Sequence, residues 1–269
     1  ASAQVKSCLL LAGMYAKGKT TIVEPAPTRD HSERMLSGMS YPIEVDGNKV
    51  TIEGGGKLLA TDIDVPSDIS SATFFMVGAA IAPGSDITLR HVGINPTRTG
   101  VITILKLMGA DITLSNEMVT GGEPAADIRV RYAPLTGINI PIEQVPLAID
   151  EFPAIFIAAA CADGQTVLTG AEELRVKESD RIQAMANGLT ILGIDALATE
   201  DGIIIEGGII GSGEVDSLGD HRIAMSFTIA GLQAGGTIVI KDCANVATSF
   251  PNFVTLASAS GLELDELDG

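Results

Sequence analysis

The chain writes one unit four times over, and a repeat of that size leaves few folds open. Each copy runs through a polar residue, an apolar stretch of helical length, a small residue with glycine, a β-branched strand and a second amphipathic stretch. Gly18, Gly84, Gly164 and Gly235 mark the copies, and Gln4, Asp68, Asp150 and Asp220 stand ahead of them. The apolar stretches are Ser7 to Ala16, Ser71 to Ile81, Pro153 to Ala162 and Ile223 to Leu232. Their Ala and Gly content suits helices buried against one another, because small side chains let backbones approach. β-Branched runs follow each glycine at Thr20 to Val23, Ile87 to Leu89, Thr166 to Leu168 and Thr237 to Ile240. Val101, Ile104, Leu105 and Met108 then fall at helical spacing, as do Phe250, Phe253, Val254 and Ala257. Gly109 and Gly193 end helices and lead into strands. The implied unit is β-α-β-α-β-β. Its period of about 70 residues exceeds that of the common solenoids, so a compact, pseudo-symmetric α/β protein is expected.

Parallel buried helices would gather their N-termini on one face, where free backbone N–H groups and positive dipole ends favour anions. Asp68, Asp150 and Asp220 would lie on that face, as N-caps or as part of a site. Asp68, beside Ser67, is expected to cap. Ile149-Asp150-Glu151-Phe152-Pro153 puts an acid before Pro at a helix's first turn, which also reads as capping and leaves catalysis open.

Charge narrows the choice of ligand. The 269 residues hold 17 Lys and Arg against 34 Asp and Glu, a net charge of −17. That balance argues against nucleic acid and anionic membrane surfaces, both of which need basic patches. No apolar run is long enough to span a bilayer. Lys6 and the apolar run behind it mimic a signal peptide, but a buried helix is expected because the pattern recurs downstream. Cys8, Cys161 and Cys243 lack metal spacing and are expected as reduced core residues of a cytoplasmic protein. Glu263, Asp265, Glu266 and Asp268 form an acidic tail, and an opening at Ala1 without methionine is expected of a piece cut from something longer.

Against this background the cations cluster. Arg175-Val176-Lys177-Glu178-Ser179-Asp180-Arg181 precedes the amphipathic run Ile182, Met185, Ala186, Leu189, and Asp220-His221-Arg222 precedes another buried stretch. Cations at a helix start oppose its dipole and need a reason. A solvated, salt-bridged helix start is one. The other is a site for a substrate carrying phosphate and carboxylate, which forked arginines grip well. Gly54-Gly55-Gly56 and Gly207-Gly208 lack dinucleotide spacing and are assigned to turns.

Taken together, Arg175 to Arg181, Asp220-His221-Arg222, Ser2-Ala3-Gln4-Val5-Lys6, Ile149 to Pro153 and Ser249-Phe250-Pro251 resemble the 5-enolpyruvylshikimate-3-phosphate synthase family. Arg29-x-His31-x-Glu33 and Asn95-x-Thr97-Arg98 further resemble its class II branch, noted for glyphosate tolerance. The resemblance implies an enolpyruvyl transferase-type α/β fold of repeated βαβαββ units with parallel buried helices. Residues 1–63 would be the last unit of an N-terminal, shikimate-phosphate-binding domain, and 64–269 a complete three-unit C-terminal domain. It implies transfer of enolpyruvyl from phosphoenolpyruvate to the 5-hydroxyl of shikimate 3-phosphate, without metal or organic cofactor, in the cytoplasm. Glyphosate inhibits the family.

By the same resemblance, Ser2, Ala3, Gln4, Arg29, Asp150 and Lys177 would hold shikimate 3-phosphate. Gln4, Lys177, Arg181, His221 and Arg222 would hold phosphoenolpyruvate. Asp150 would be the base toward the attacking hydroxyl, and Glu178 the acid toward the methylene carbon. The first two units have no counterpart here, so this chain alone is expected to be inactive, and Thr248 stands where some members have lysine. The alternatives are a UDP-N-acetylglucosamine enolpyruvyl transferase and a non-catalytic folded fragment.

Overall fold

The structure, a computed structural model, describes residues 2–26 and 28–267, so Asp268 of the acidic tail lies outside the described residues. Three copies of the unit each build a three-stranded sheet of the same order. Strands β1 (Lys19–Val23), β2 (Ile43–Asp46) and β3 (Lys49–Glu53) form an antiparallel sheet in the order β1-β3-β2. Strands β4 (Asp86–Gly93), β5 (Asp111–Thr120) and β6 (Glu123–Arg131) repeat it as β4-β6-β5. Strands β7 (Gln165–Leu168), β8 (Asp195–Ala198) and β9 (Ile203–Glu206) do so again as β7-β9-β8. The marker glycines open these sheets in one conformation. Gly18, Gly84 and Gly164 sit at φ 81, 82 and 82°, where a side chain would be strained, whereas Gly235 is not in that region.

The fourth copy departs from the plan. Its strands β10 (Gly213–Asp216) and β11 (Ile238–Lys241) pair in parallel, and among the described residues no antiparallel hairpin follows. In the second and third copies the leading strand shrinks to isolated parallel bridges, Ser67 with Val92, Thr136 with Asp163 and Asn139 with Val167. Each parallel pair spans a crossover helix, as parallel strands require.

Those helices carry the core. They are α1 (Ala3–Gly13), α3 (Ile69–Ile81), α5 (Phe152–Ala160) and α7 (His221–Ala230). The second helices of the copies are α2 (His31–Gly38), α4 (Gly100–Leu107) and α6 (Arg181–Ile191). In the fourth copy the expected continuous helix breaks into α8 (Ala244–Ser249) and α9 (Phe253–Ala259). Pro251 explains the break, since it lacks an N–H and biases Phe250 toward extended backbone, here φ −140°. Arg222 at the mouth of α7 donates to the Asp150 carbonyl before α5, and Gln233 beyond α7 donates to the Ile81 carbonyl that ends α3. Helices α3 and α7 therefore run parallel, with α5 starting on the same face.

Of the three cysteines expected in the core, only Cys161 packs against it. Cys8 and Cys243 are exposed and Cys161 is partly buried, all three as free thiols. Burial pushes the Cys161 thiol up to about 12. No helix among the described residues is long and apolar enough to cross a membrane.

Candidate active site

The helix mouths fix the site. Asp68 accepts a hydrogen bond from the Ser71 N–H at 2.9 Å and caps α3, as expected. Asp220 caps α7 through the Arg222 N–H at 2.9 Å. Asp150 breaks the series. Its carboxylate does not cap α5, whose N-cap position falls on Glu151 and whose first turn holds Pro153, which has no N–H to offer. The capping expected of Asp150 is thus not found, and its carboxylate is free for other partners.

Those partners are cations from three copies. Arg29, in the first copy, donates to the Asp150 carboxylate. Lys177 Nζ lies 3.5 Å and Arg181 Nη1 3.7 Å from its Oδ1. Arg222 Nη1 donates to the Asp150 backbone carbonyl at 2.9 Å. Burial by itself pushes the Asp150 carboxyl up, but Arg222, Arg29 and Lys177 outweigh it and hold it well below the usual carboxylate range.

Arg181 is the best-anchored of the four cations. It is 1% exposed, and its Nε donates to Asp220 Oδ2 at 2.8 Å while Nη2 donates to Glu178 Oε2 at 2.5 Å. Ser179 Oγ donates to Asp220 as well, at 3.1 Å. Burial pushes the Asp220 carboxyl up, but the bond and charge of Arg181, the Arg222 N–H and the Ser179 hydroxyl together outweigh it and hold it below the usual carboxylate range. Arg181 Nη1 is buried without a hydrogen-bond partner, a spare donor aimed at the side of the site where Asp150 sits. The segment before α6 is not a regular helix start. Residues Glu172–Val176 form a 3-10 turn and Lys177 is extended, and ion pairs at helical spacing join Lys177 to Glu173 and Arg181 to Glu178.

Glu178 is exposed, with His221 nearby on a hollow of about 370 Å³ that is also lined by Asn245, Thr248 and the Leu218–Gly219 turn. Half-burial, then Arg222, holds the His221 imidazole below its ordinary 6.5, so it is neutral at pH 7. Ser2, Ala3 and Gln4 stand apart. Ser2 caps α1 by accepting from the Val5 N–H, and Gln4 is an exposed residue of the helix itself. Among the described residues none of the three bonds to the Asp150 cluster. A larger hollow of about 770 Å³, between Lys6, Glu24, Glu33 and Arg34, contains none of the expected site residues. No group of three or more His, Cys, Asp or Glu among the described residues could hold a metal ion.

Two polar clusters lie beyond what the motifs define. Glu151, 3% exposed, accepts from Arg98 Nη2 at 3.1 Å and from Ser70, and lies 3.9 Å from Arg222 Nη1. Asn95 Nδ2 donates to Asp30 Oδ1 at 2.8 Å and Glu123 Oε2 at 3.0 Å, tying α2 to the β5–β6 hairpin. The motif around Asn95 and Arg98 signals their importance, but only the fold supplies their partners.

The repeated fold is that of enolpyruvyl transferases. One from Streptomyces tendae matches with a TM-score of 0.76 over 94% of this chain and 58% of its own, at 18% identity, a likeness of fold alone. An EPSP synthase from Acinetobacter baumannii superposes with a TM-score of 0.96 at 62% identity, covering 98% of this chain and 62% of that one. The family model for EPSP synthase (3-phosphoshikimate 1-carboxyvinyltransferase) matches residues 1–256, and the chain belongs to that family. Relatives named 3-phosphoshikimate 1-carboxyvinyltransferase are 71% identical in Methylococcus capsulatus and 67% in Nitrosococcus oceani, each over 98% of this chain. The chain spans only 61% and 60% of those relatives.

Proposed function

We propose that this chain carries the larger part of a 3-phosphoshikimate 1-carboxyvinyltransferase, which moves enolpyruvyl from phosphoenolpyruvate to the 5-hydroxyl of shikimate 3-phosphate. The observation that carries the reading is the convergence of Arg29, Lys177, Arg181 and Arg222 on the single residue Asp150. Cations so placed suit two anionic substrates, and a carboxylate in their midst suits a hydroxyl that must lose its proton. Substrate phosphate and carboxylate compete with Asp150 for the same cations. Their binding releases Asp150 from the pairs that depress its basicity, so the base strengthens when substrates arrive.

In the reaction, Asp150 takes the hydroxyl proton as the oxygen bonds to C2 of phosphoenolpyruvate, and Glu178 adds a proton at C3. The resulting tetrahedral adduct then loses a C3 proton and expels phosphate. Arg181, held rigid by Asp220, and Arg222 steady the phosphoenolpyruvate anion, with His221 and Gln4 beside it. Ser2, Ala3, Arg29 and Lys177 hold shikimate 3-phosphate. No step calls for a metal or organic cofactor. The cytoplasm is the proposed location, and glyphosate the proposed inhibitor. A UDP-N-acetylglucosamine substrate is not favoured, since the relatives at 60–71% identity carry the shikimate name.

The test joins this chain to the part of the Methylococcus capsulatus relative that it does not match. That protein should release phosphate only when both substrates are present, while the 269-residue chain alone releases none, its open half-cleft being unable to exclude water. Asp150→Asn in the joined protein should keep substrate binding and lose about 10²–10⁴ in kcat. A loss below about tenfold removes Asp150 from the role of base.

A further inference from the structure

Arg222 is oriented from two sides by the entrance of α5. Its Nη1 donates to the Asp150 carbonyl at 2.9 Å and lies 3.9 Å from Glu151 Oε1. Glu151 is itself fixed, at 3% exposure, by Arg98 Nη2 at 3.1 Å and by the Ser70 hydroxyl, and Arg98 Nη2 also donates to Ser70 Oγ at 2.5 Å. The mouths of α3 and α5 thus hold one buried carboxylate between two guanidinium groups. Asp220 does the equivalent for Arg181 from the mouth of α7.

We propose that Glu151 is a positioning residue for the reaction proposed above: it fixes the Arg222 guanidinium in the direction from which phosphoenolpyruvate is gripped, with Arg98 and Ser70 locking Glu151 in turn. A purely structural role would be confined to neutralising Arg98. The geometry goes further, because the same Oε1 faces both arginines. Arg222 reaches it across a longer gap, where charge aims the guanidinium without tying up its donors. An arginine that must release its partner to take a substrate anion needs that looser hold.

The test has one arm that is independent of turnover. In this chain, nitrogen NMR of the Arg222 side chain should show slow guanidinium rotation, and Glu151→Gln should speed it at least fivefold. Because Glu151→Gln leaves Arg98 buried without its counter-charge and can weaken the fold, the double variant Arg98→Gln with Glu151→Gln removes both charges. The faster Arg222 rotation should persist in the double variant. In the joined enzyme, both variants should raise KM for phosphoenolpyruvate at least tenfold with kcat within about threefold, the pattern of lost ground-state binding. KM for shikimate 3-phosphate should stay unchanged. Unchanged Arg222 rotation in Glu151→Gln, or wild-type rotation restored in the double variant, overturns the proposal whatever the activity. Changed rotation in an inert joined wild type would sink the transferase reading while leaving the Glu151–Arg222 coupling standing. Equal rises in both KM values would also overturn it, since they mark a general loss of structure.

Discussion

Helices α1 and α5 hold the same place in the repeat and meet opposite fates, α5 being apolar throughout while α1 carries Gln4, Lys6 and Ser7. All nine residues of α5 are buried, whereas α1 buries only Lys6, Leu10 and Gly13 and leaves Val5, Leu9 and Leu11 45–58% exposed. Helix α5 shares a centre with α3 and α7, which belong to one large apolar cluster running from Ile69 to Ala257. Helix α1 has its own sheet and the short α2, in a small cluster of Leu10, Leu36, Tyr41, Val50 and Ile52. Polar content and the number of neighbouring helices therefore both decide how much of a crossover helix is buried. We propose on this basis a division near residue 63, with the first unit on one side and the three later units on the other.

The comparison is tested most severely by truncation. Phe156→Ala in α5 empties a fully buried site and should cost about 3–5 kcal/mol in a urea titration. Leu9→Ala in α1 removes a side chain that is 45% exposed and should stay within about 0.5 kcal/mol. A Leu9→Ala cost approaching that of Phe156→Ala would mean that α1 is covered after all.

The contrast between these helices also marks how far the amino-acid sequence by itself specifies the fold and the site. Ala-rich stretches and their glycines locate all four crossover helices, because small side chains and positive-φ turns have few other uses. Motif spacing picks out Asp150, Lys177, Arg181 and Arg222. It does not reveal the partner of Glu151, since that is Arg98, 53 residues earlier in the chain. Nor can it reveal Asn95 joined to Asp30 and Glu123, a junction made when two units pack. Spacing misleads at Phe250 and Phe253, where the helical period runs across Pro251. It also misplaces Cys8 and Cys243, both of which are exposed.

Backbone protection sharpens the same contrast at a finer scale. Local opening follows the density of buried contacts, so limited proteolysis should cut first within residues 1–66 and leave a resistant C-terminal body. The crossing segment is secured at few points, among them the paired hydrogen bonds of 3.0 and 2.9 Å between the Asp64 backbone and Thr120 Oγ1. Early cuts scattered through 70–250, with the first unit intact, would overturn the division.

The smallest expected effect is a pH dependence confined to one side of that division. His221, at the mouth of α7, is held below its ordinary 6.5 by half-burial first and then by Arg222, with Arg181 adding to them and Asp220 and Glu178 only partly offsetting the sum. Between its folded value and 6.5 the unfolded chain binds more protons at this residue than the folded one does, so stability there rises with pH. His221's contribution is complete above 6.5 and is lost as pH falls through that window. Denaturation midpoints of the three-unit body should therefore drop as pH is lowered from 7 toward 5.5, and His221→Asn should flatten that part of the slope. The transition of the first unit should not respond to the substitution, because the imidazole lies outside its core. If His221→Asn left the slope of the body intact, the depressed basicity of His221 would not be what sets it.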